Sequence, residues 1–201
     1  MNNPENTIVL ASGNAGKLRE FTRLFNDFGI RIAPQSEFNV EDAEETGLSF
    51  VENAIIKARN ASKATGLPAI SDDSGIEVDA LNGAPGIYSA RYAGDDESNN
   101  QKLLNALEGK KGSERSARYQ CVLVYMRHSE DPTPVIAQGA WEGEILEEPV
   151  GENGFGYDPI FFVPTHKCSS AELDKDEKNR ISHRAIALKL LVKQLHELKL
   201  I

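Results

Sequence analysis

The sequence predicts an α/β fold, and three features carry that prediction. Ile8-Val9-Leu10-Ala11 is an apolar run that breaks at the glycine-containing turn Ser12 to Lys17, after which Leu18, Phe21, Leu24, Phe25 and Phe28 recur at helical spacing. Tyr119 to Met126 and Val135 to Trp141 are long β-prone runs separated by Pro132-Thr133-Pro134, so this part of the sheet is antiparallel or mixed. Leu188, Leu191, Val192, Leu195 and Leu198 form a closing amphipathic helix, whose stripe must be buried against that sheet.

The remaining elements follow in chain order. Gly29 stands where a helix-ending glycine would, and Ile30 to Ala33 can form a second strand. Pro34 to Gly47 is acidic and aperiodic and reads as a loop. Ser49 with Glu52 three residues on fits a capping box, and Phe50, Ala54, Ala58 and Ala61 give the buried face of a helix stopped near Gly66-Leu67-Pro68. Ala69 to Ser71 leads to an expected turn at Asp72-Asp73, followed by the alternating run Ile76 to Asp79. A loop opens at Gly83-Ala84-Pro85-Gly86, Leu103, Leu104 and Leu107 suggest a modest helix, Gly109 to Glu114 reads as a flexible linker, and Ile160 to Val163 adds a strand.

With 201 residues the chain suits one domain, and 40% hydrophobic with 26% charged residues is the balance of a globular protein. No run approaches the roughly 20 apolar residues of a membrane span, and no apolar segment follows the polar start, so a cytoplasmic protein without a membrane partner is expected. A net charge of −9 argues against a nucleic-acid partner, which demands a broad basic surface. Small phosphorylated ligands remain open, because a few cations or a carboxylate-held metal suffice for them. Cys121 in an apolar run and Cys168 in a polar loop do not suggest a disulfide, and the four histidines lack the paired spacing of a zinc site.

Several segments could carry chemistry. Ser12, Gly13, Asn14, Ala15, Gly16 and Lys17 join a strand to a helix, where backbone N–H groups and the helix dipole favour a phosphate; an ordinary tight turn with a solvated lysine is the alternative. The turn is not a Walker loop, since two residues separate its glycines and Leu18 replaces the metal-holding hydroxyl. Asp72 and Asp73 are adjacent, so their side chains point apart and only one is expected in a site, holding magnesium or taking a proton from water, unless both merely cap a turn. Glu44 and Glu45 are a second carboxylate source, and Lys57 shares a helix face with Asn53 and Asn60. Phe155-Gly156-Tyr157-Asp158 puts aromatics and a carboxylate between glycines, where a base could stack or the rings could simply be buried. Lys178 and Ser182-His183-Arg184 offer donors near the start of the last helix.

In this order the motifs Ser-Gly-Asn-Ala-Gly-Lys, Ala-Glu-Glu-Thr-Gly, Glu-Asn-Ala-Ile-Ile-Lys-Ala, Ser-Asp-Asp-Ser-Gly, Gly-Ala-Pro-Gly-Ile-Tyr-Ser-Ala-Arg-Tyr, Gly-Phe-Gly-Tyr-Asp-Pro-Ile-Phe and Ile-Ser-His-Arg resemble the inosine triphosphate pyrophosphatase family, the non-canonical purine NTP pyrophosphatases, in its bacterial branch. The likeness runs from about Thr7 to Leu198; Met1 to Asn6 is a short extension, and Ser12 stands where many members carry threonine. It implies one two-lobed domain over residues 1–201, an elongated mixed sheet, a cleft between the lobes and a homodimer. The implied reaction is magnesium-dependent hydrolysis of ITP, dITP and XTP between the α and β phosphates. Motif matching assigns Ser12 to Lys17 to the triphosphate, Glu44 and Asp73 to the metal, Asp73 to the proton of the attacking water, and Lys17 and Lys57 to fixed positive charge. It assigns Phe155 to base stacking, and Ser74, Gly156, Tyr157, Asp158, Lys178, His183 and Arg184 to substrate contacts.

Selectivity then has a physical basis. Hypoxanthine and xanthine present an oxygen at C6, whereas adenine would set an amino group against donors such as those of Arg184 and leave them unpaired; such sites discriminate by ~10⁴ or more. Two other readings are a pyrophosphatase of the related septum-inhibitor-like family, against which the Ser-His-Arg and Phe-Gly-Tyr-Asp segments argue, and a non-catalytic nucleotide-binding module, against which Asp73, Lys17 and Lys57 argue.

Overall fold

A computed structural model describes residues 6–201; most of the Met1 to Asn6 extension lies outside the described residues. The α/β fold is as expected. Strands β1 (Thr7–Leu10), β2 (Arg31–Pro34), β3 (Ala69–Val78), β4 (Ser116–Met126), β5 (Val135–Ile145), β6 (Phe161–Val163) and β7 (Cys168–Ser169) hydrogen-bond in the order β2-β1-β3-β4-β5-β6-β7. The α-helices among the described residues are α1 (Ala15–Asn26), α2 (Phe50–Thr65), α3 (Asp96–Ala106), α4 (Lys175–Ile181) and α5 (His183–Glu197). The chain divides into two compact units, the first containing the described part of Met1–Asp73 with Val122–Ala137 and Leu188–Ile201, the second Ser74–Cys121 and Gln138–Ala187.

In the first unit β1 pairs in parallel with both β2 (Thr7 opposite Arg31) and β3 (Val9 opposite Ala69), which is possible because helices α1 and α2 supply the crossovers. Helix α1 buries Phe21 and Phe25, whose rings stack 6.4 Å apart. Helix α2 starts on Ser49, whose hydroxyl accepts the Glu52 N–H, while the Glu52 carboxylate accepts from the Ser49 hydroxyl and the Leu48 N–H. The Ser49 cap expected from the sequence is thus present, while the returning bond of the capping box goes to the Leu48 N–H instead of that of Ser49. Alanines 54, 58 and 61 line the buried face, and Ala61 packs with Val9, Ala11 and Ala69, small residues that let the helix lie close to the sheet.

One expectation is corrected here. Asp72 and Asp73 do not form a turn; β3 runs unbroken through them. Aspartate is a poor strand former, and each carboxylate is held by a lysine from elsewhere. Ser71 and Asp73 point toward α2, the Ser71 hydroxyl donating to the Ala54 carbonyl at 2.5 Å, while Asp72 meets Lys17. The alternation of strand side chains therefore separates the pair as expected.

In the second unit Ile76, Leu103, Leu107, Tyr119, Trp141 and Phe161 belong to one core cluster. The antiparallel pairs β5–β6 and β6–β7 match Glu144 with Phe162 and Val163 with Cys168. Gly109 to Glu114, expected as a flexible linker, is a folded turn inside this unit. Lys110 pairs with Glu114 at 3.0 Å, and the buried Arg115 that follows donates to the carbonyls of Leu107, Ile145 and Leu146. Cys121 is buried in β4, in keeping with its apolar run.

Candidate active site

Two clusters of the expected residues form, one in each unit. In the first, Lys57 projects from α2 and its Nζ lies 2.8 Å from Asp73 Oδ1 and 2.9 Å from Glu45 Oε1. Asn53, one turn earlier and fully buried, accepts the Gly47 N–H at 2.8 Å through Oδ1 and donates to Asp73 Oδ2 at 3.5 Å. One side chain thereby ties the acidic loop to the strand that carries Asp73. Burial pushes the Asp73 carboxyl above its ordinary range, partly offset by the Lys57 charge and hydrogen bond. Burial alone would pull Lys57 down, but the Asp73 carboxylate, with help from Glu45, holds it above its ordinary value.

A cavity of about 240 Å³ adjoins this cluster, with Ser12, Gly13, Gln35, Asp42, Glu45 and Lys57 in its lining. The turn beside it is organised by Asn14, which caps α1 by accepting the N–H groups of Gly16 at 2.8 Å and Lys17 at 3.0 Å, while Ser12 Oγ accepts the Asn14 N–H. A phosphate using the Gly16 and Lys17 amides must displace the Asn14 side chain. Lys17 itself pairs with Asp72 at 2.8 Å.

In the second unit the Gly154–Asp158 segment divides its aromatics. Tyr157 is buried and donates its hydroxyl to the Ser89 carbonyl at 2.7 Å, whereas the Phe155 ring is 68% exposed with Lys178 Nζ 4.7 Å from its centre. Asp158 lies beneath, accepting from the Phe155 N–H at 2.8 Å, from Ser170 Oγ at 2.9 Å and from Lys178. Gly154 must be glycine: its φ is +84°, and a Cβ there would collide with the Asp158 carboxylate. The His183 ring stacks on Tyr119 with centroids 4.8 Å apart, next to Trp141, and Ser74 and Arg184 are half-buried.

The structure thus joins Lys17 to Asp72, and Asp73 to Lys57 and Glu45. Glu44 is exposed; its neighbour Glu45 is the carboxylate that reaches Lys57. The carboxylates of Asp73 and Glu45 converge on the Lys57 ammonium, and they are the residues here that could hold a hard divalent cation whose shell is completed by water and substrate oxygens. Sequence reasoning missed Gln35 and Asp42, which hydrogen-bond to each other in the cavity wall. It also missed Ser170 under Phe155; no local pattern marks any of the three.

A family model described as the Ham1 family matches residues 8–194. The chain belongs to the Ham1 family. Among its relatives, proteins named dITP/XTP pyrophosphatase from Vibrio parahaemolyticus and Thioalkalivibrio sulfidiphilus are each 62% identical, covering 94% of this chain and 96% and 97% of their own lengths. A solved Ham1 protein from Coxiella burnetii superposes with a TM-score of 0.92 at 56% identity, over 95% of this chain and 98% of its own. The Ham1 protein of Staphylococcus aureus gives 0.88 at 45% identity with the same coverage.

Proposed function

We propose that this Ham1-family chain is a magnesium-dependent nucleoside triphosphate pyrophosphatase. It hydrolyses ITP, dITP and XTP to the monophosphate and pyrophosphate, clearing these nucleotides before they enter DNA or RNA. The observation that carries the reading is the Lys57 cluster: a cation held by Asp73 and Glu45, beside a cavity lined by Ser12 and Gly13. The names of the relatives support the substrate class.

Phosphoryl transfer asks a protein chiefly for a positioned water and neutralised oxygens. Asp73 takes the proton as water attacks the α-phosphorus, and the α–β bridging oxygen leaves with pyrophosphate. In the metal-free protein burial raises the Asp73 carboxyl above its ordinary range, the direction that favours a base. Lys17 and Lys57 supply fixed charge to the phosphates. Pyrophosphatases of this family are generally metal-dependent; Asp73 and the Glu44-Glu45 pair, with Glu45 the member that reaches Lys57, would hold magnesium, which would draw charge from the phosphate oxygens.

Phe155 stacks on the base, with Lys178, Asp158, Tyr157 and Gly156 around it, while Ser74, His183 and Arg184 complete the substrate contacts. The donors of Arg184 meet the 6-oxo group. The enzyme works in the cytoplasm as a homodimer on free nucleotides, not on nucleic acid or membranes; no helix among the described residues is long and apolar enough to cross a membrane.

Turnover of ITP in oxygen-18 water tests the reaction. Attack at the α-phosphorus puts the label in the monophosphate; label in pyrophosphate, or release of single phosphate, contradicts it.

A further inference from the structure

Phe155 is an exposed aromatic on a glycine-flanked turn, and such a turn is not stiff by itself. The peptide groups that follow it are nevertheless held from outside the turn. Gly156, at φ +61°, donates its N–H to Asp96 Oδ2 at 2.7 Å, and its carbonyl accepts from Asn100 Nδ2 at 3.0 Å. Asp96 and Asn100 are four residues apart on α3 and so share one face of that helix. Asn100 is 8% exposed, and its Oδ1 has no hydrogen-bond partner.

An unpaired buried acceptor is a cost that a side chain without polar atoms would not carry. The asparagine therefore brings something other than stability, and the bond it makes is to Gly156.

We infer that Asp96 and Asn100 are positioning residues that hold, from one face of α3, the two peptide groups flanking the Gly156 Cα, and so fix Phe155 as a preformed stacking platform for the purine. The inference rests on the base-stacking role proposed for Phe155. A preformed platform raises affinity because less ordering remains to be done on binding. The clamp acts on binding and not on the proton transfer at Asp73, so its loss appears in KM.

The test uses the full-length protein with magnesium and ITP. Asn100→Leu is expected to melt close to the wild-type temperature while KM rises about fivefold and kcat stays within about twofold, since about fivefold is what one ordinary hydrogen bond is worth. Asp96→Ala should raise KM in the same way, and Asp96→Asn, which keeps an acceptor, should recover most of it. Glu97→Ala removes the neighbouring first-turn acid and serves as the control, since the bond to Gly156 comes from Asp96.

Amide exchange at Gly156 in substrate-free protein gives a readout independent of stacking and should quicken about tenfold or more in Asp96→Ala. Unchanged exchange, or a KM unmoved in both clamp variants while Phe155→Ala raises it, overturns the clamp. If Phe155→Ala itself leaves KM unchanged, the stacking role falls instead, and the platform with it, whatever the exchange rate shows.

Discussion

Lys57→Met removes the cation that Asp73 and Glu45 share, and its consequence can be worked out from the groups that remain. Burial already holds Asp73 above its ordinary value of 3.8, and Lys57 supplies the largest opposing influence. Without it, burial, Glu45 and Asp72 all push in one direction. With its charge-assisted hydrogen bond and its opposing charge both gone, the Asp73 carboxyl should rise further above its ordinary range. Between its unfolded and folded pKa the folded protein binds more protons at this group, so stability falls as pH rises through that window. Widening the window makes the metal-free variant lose more stability than the wild type on going from acid to neutral pH. The wild type has a complementary signature at the alkaline end. Lys57 lies above its ordinary 10.5, so the stability it contributes is present below that value and lost as pH rises through the folded pKa. Carbon-13 titration of the Asp73 carboxyl in metal-free protein, with thermal melts at about pH 5 and pH 7, measures the effect. An Asp73 that titrates at or below its wild-type position in Lys57→Met refutes the reasoning.

Phe155→Ala should raise the KM for ITP by about 5- to 100-fold with metal dependence unchanged, since stacking on a base is worth ~1–3 kcal/mol; an unaltered KM removes the stacking role. Of the paired acids, Glu45→Gln should weaken magnesium binding by calorimetry and lower activity, whereas Glu44→Gln, exposed and away from Lys57, should do little; the reverse ranking moves the metal to Glu44. Asp131→Ala should lower the melting temperature by about 5–15 °C, because ~2–4 kcal/mol is lost when a buried carboxylate releases its partners. Asp131 accepts from the N–H groups of Arg127 and Thr133 and from the Arg127 guanidinium, bonds that hold its carboxyl far below the usual range. Its contribution is present above the unfolded carboxyl pKa and is lost as pH falls below about 4, so calorimetry should show the gap between wild type and variant closing in acid.

The elements that local patterns encode were legible. Strand β1, its glycine turn and α1 follow from an apolar run meeting a helical stripe, and α2 from Ser49 and Glu52 before a row of alanines. What failed was what depends on distant partners. Asp72-Asp73 has the local chemistry of a turn, and only Lys17 and Lys57, 55 and 16 residues away, explain why a strand carries it instead. Helix α4 escaped notice because none of its seven residues is buried, leaving no apolar period to read, and β7 is only two residues long. Around Phe155 the choice between stacking and burial was open in the sequence; the fold divides it, with Tyr157 buried and Phe155 exposed. Glu44 and Glu45 could not be told apart because their loop has no period, and the hold of α3 on Gly156 spans 56 and 60 residues.

Pyrophosphate release from ITP, XTP, GTP, ATP and dTTP with magnesium, for the wild type and Asp73→Asn, tests the central claim most directly. Strong release from ITP and XTP is expected, with little from ATP and dTTP, and with loss of turnover in a variant that still melts as a folded protein. Release chiefly from dTTP, or wild-type turnover by Asp73→Asn, contradicts it.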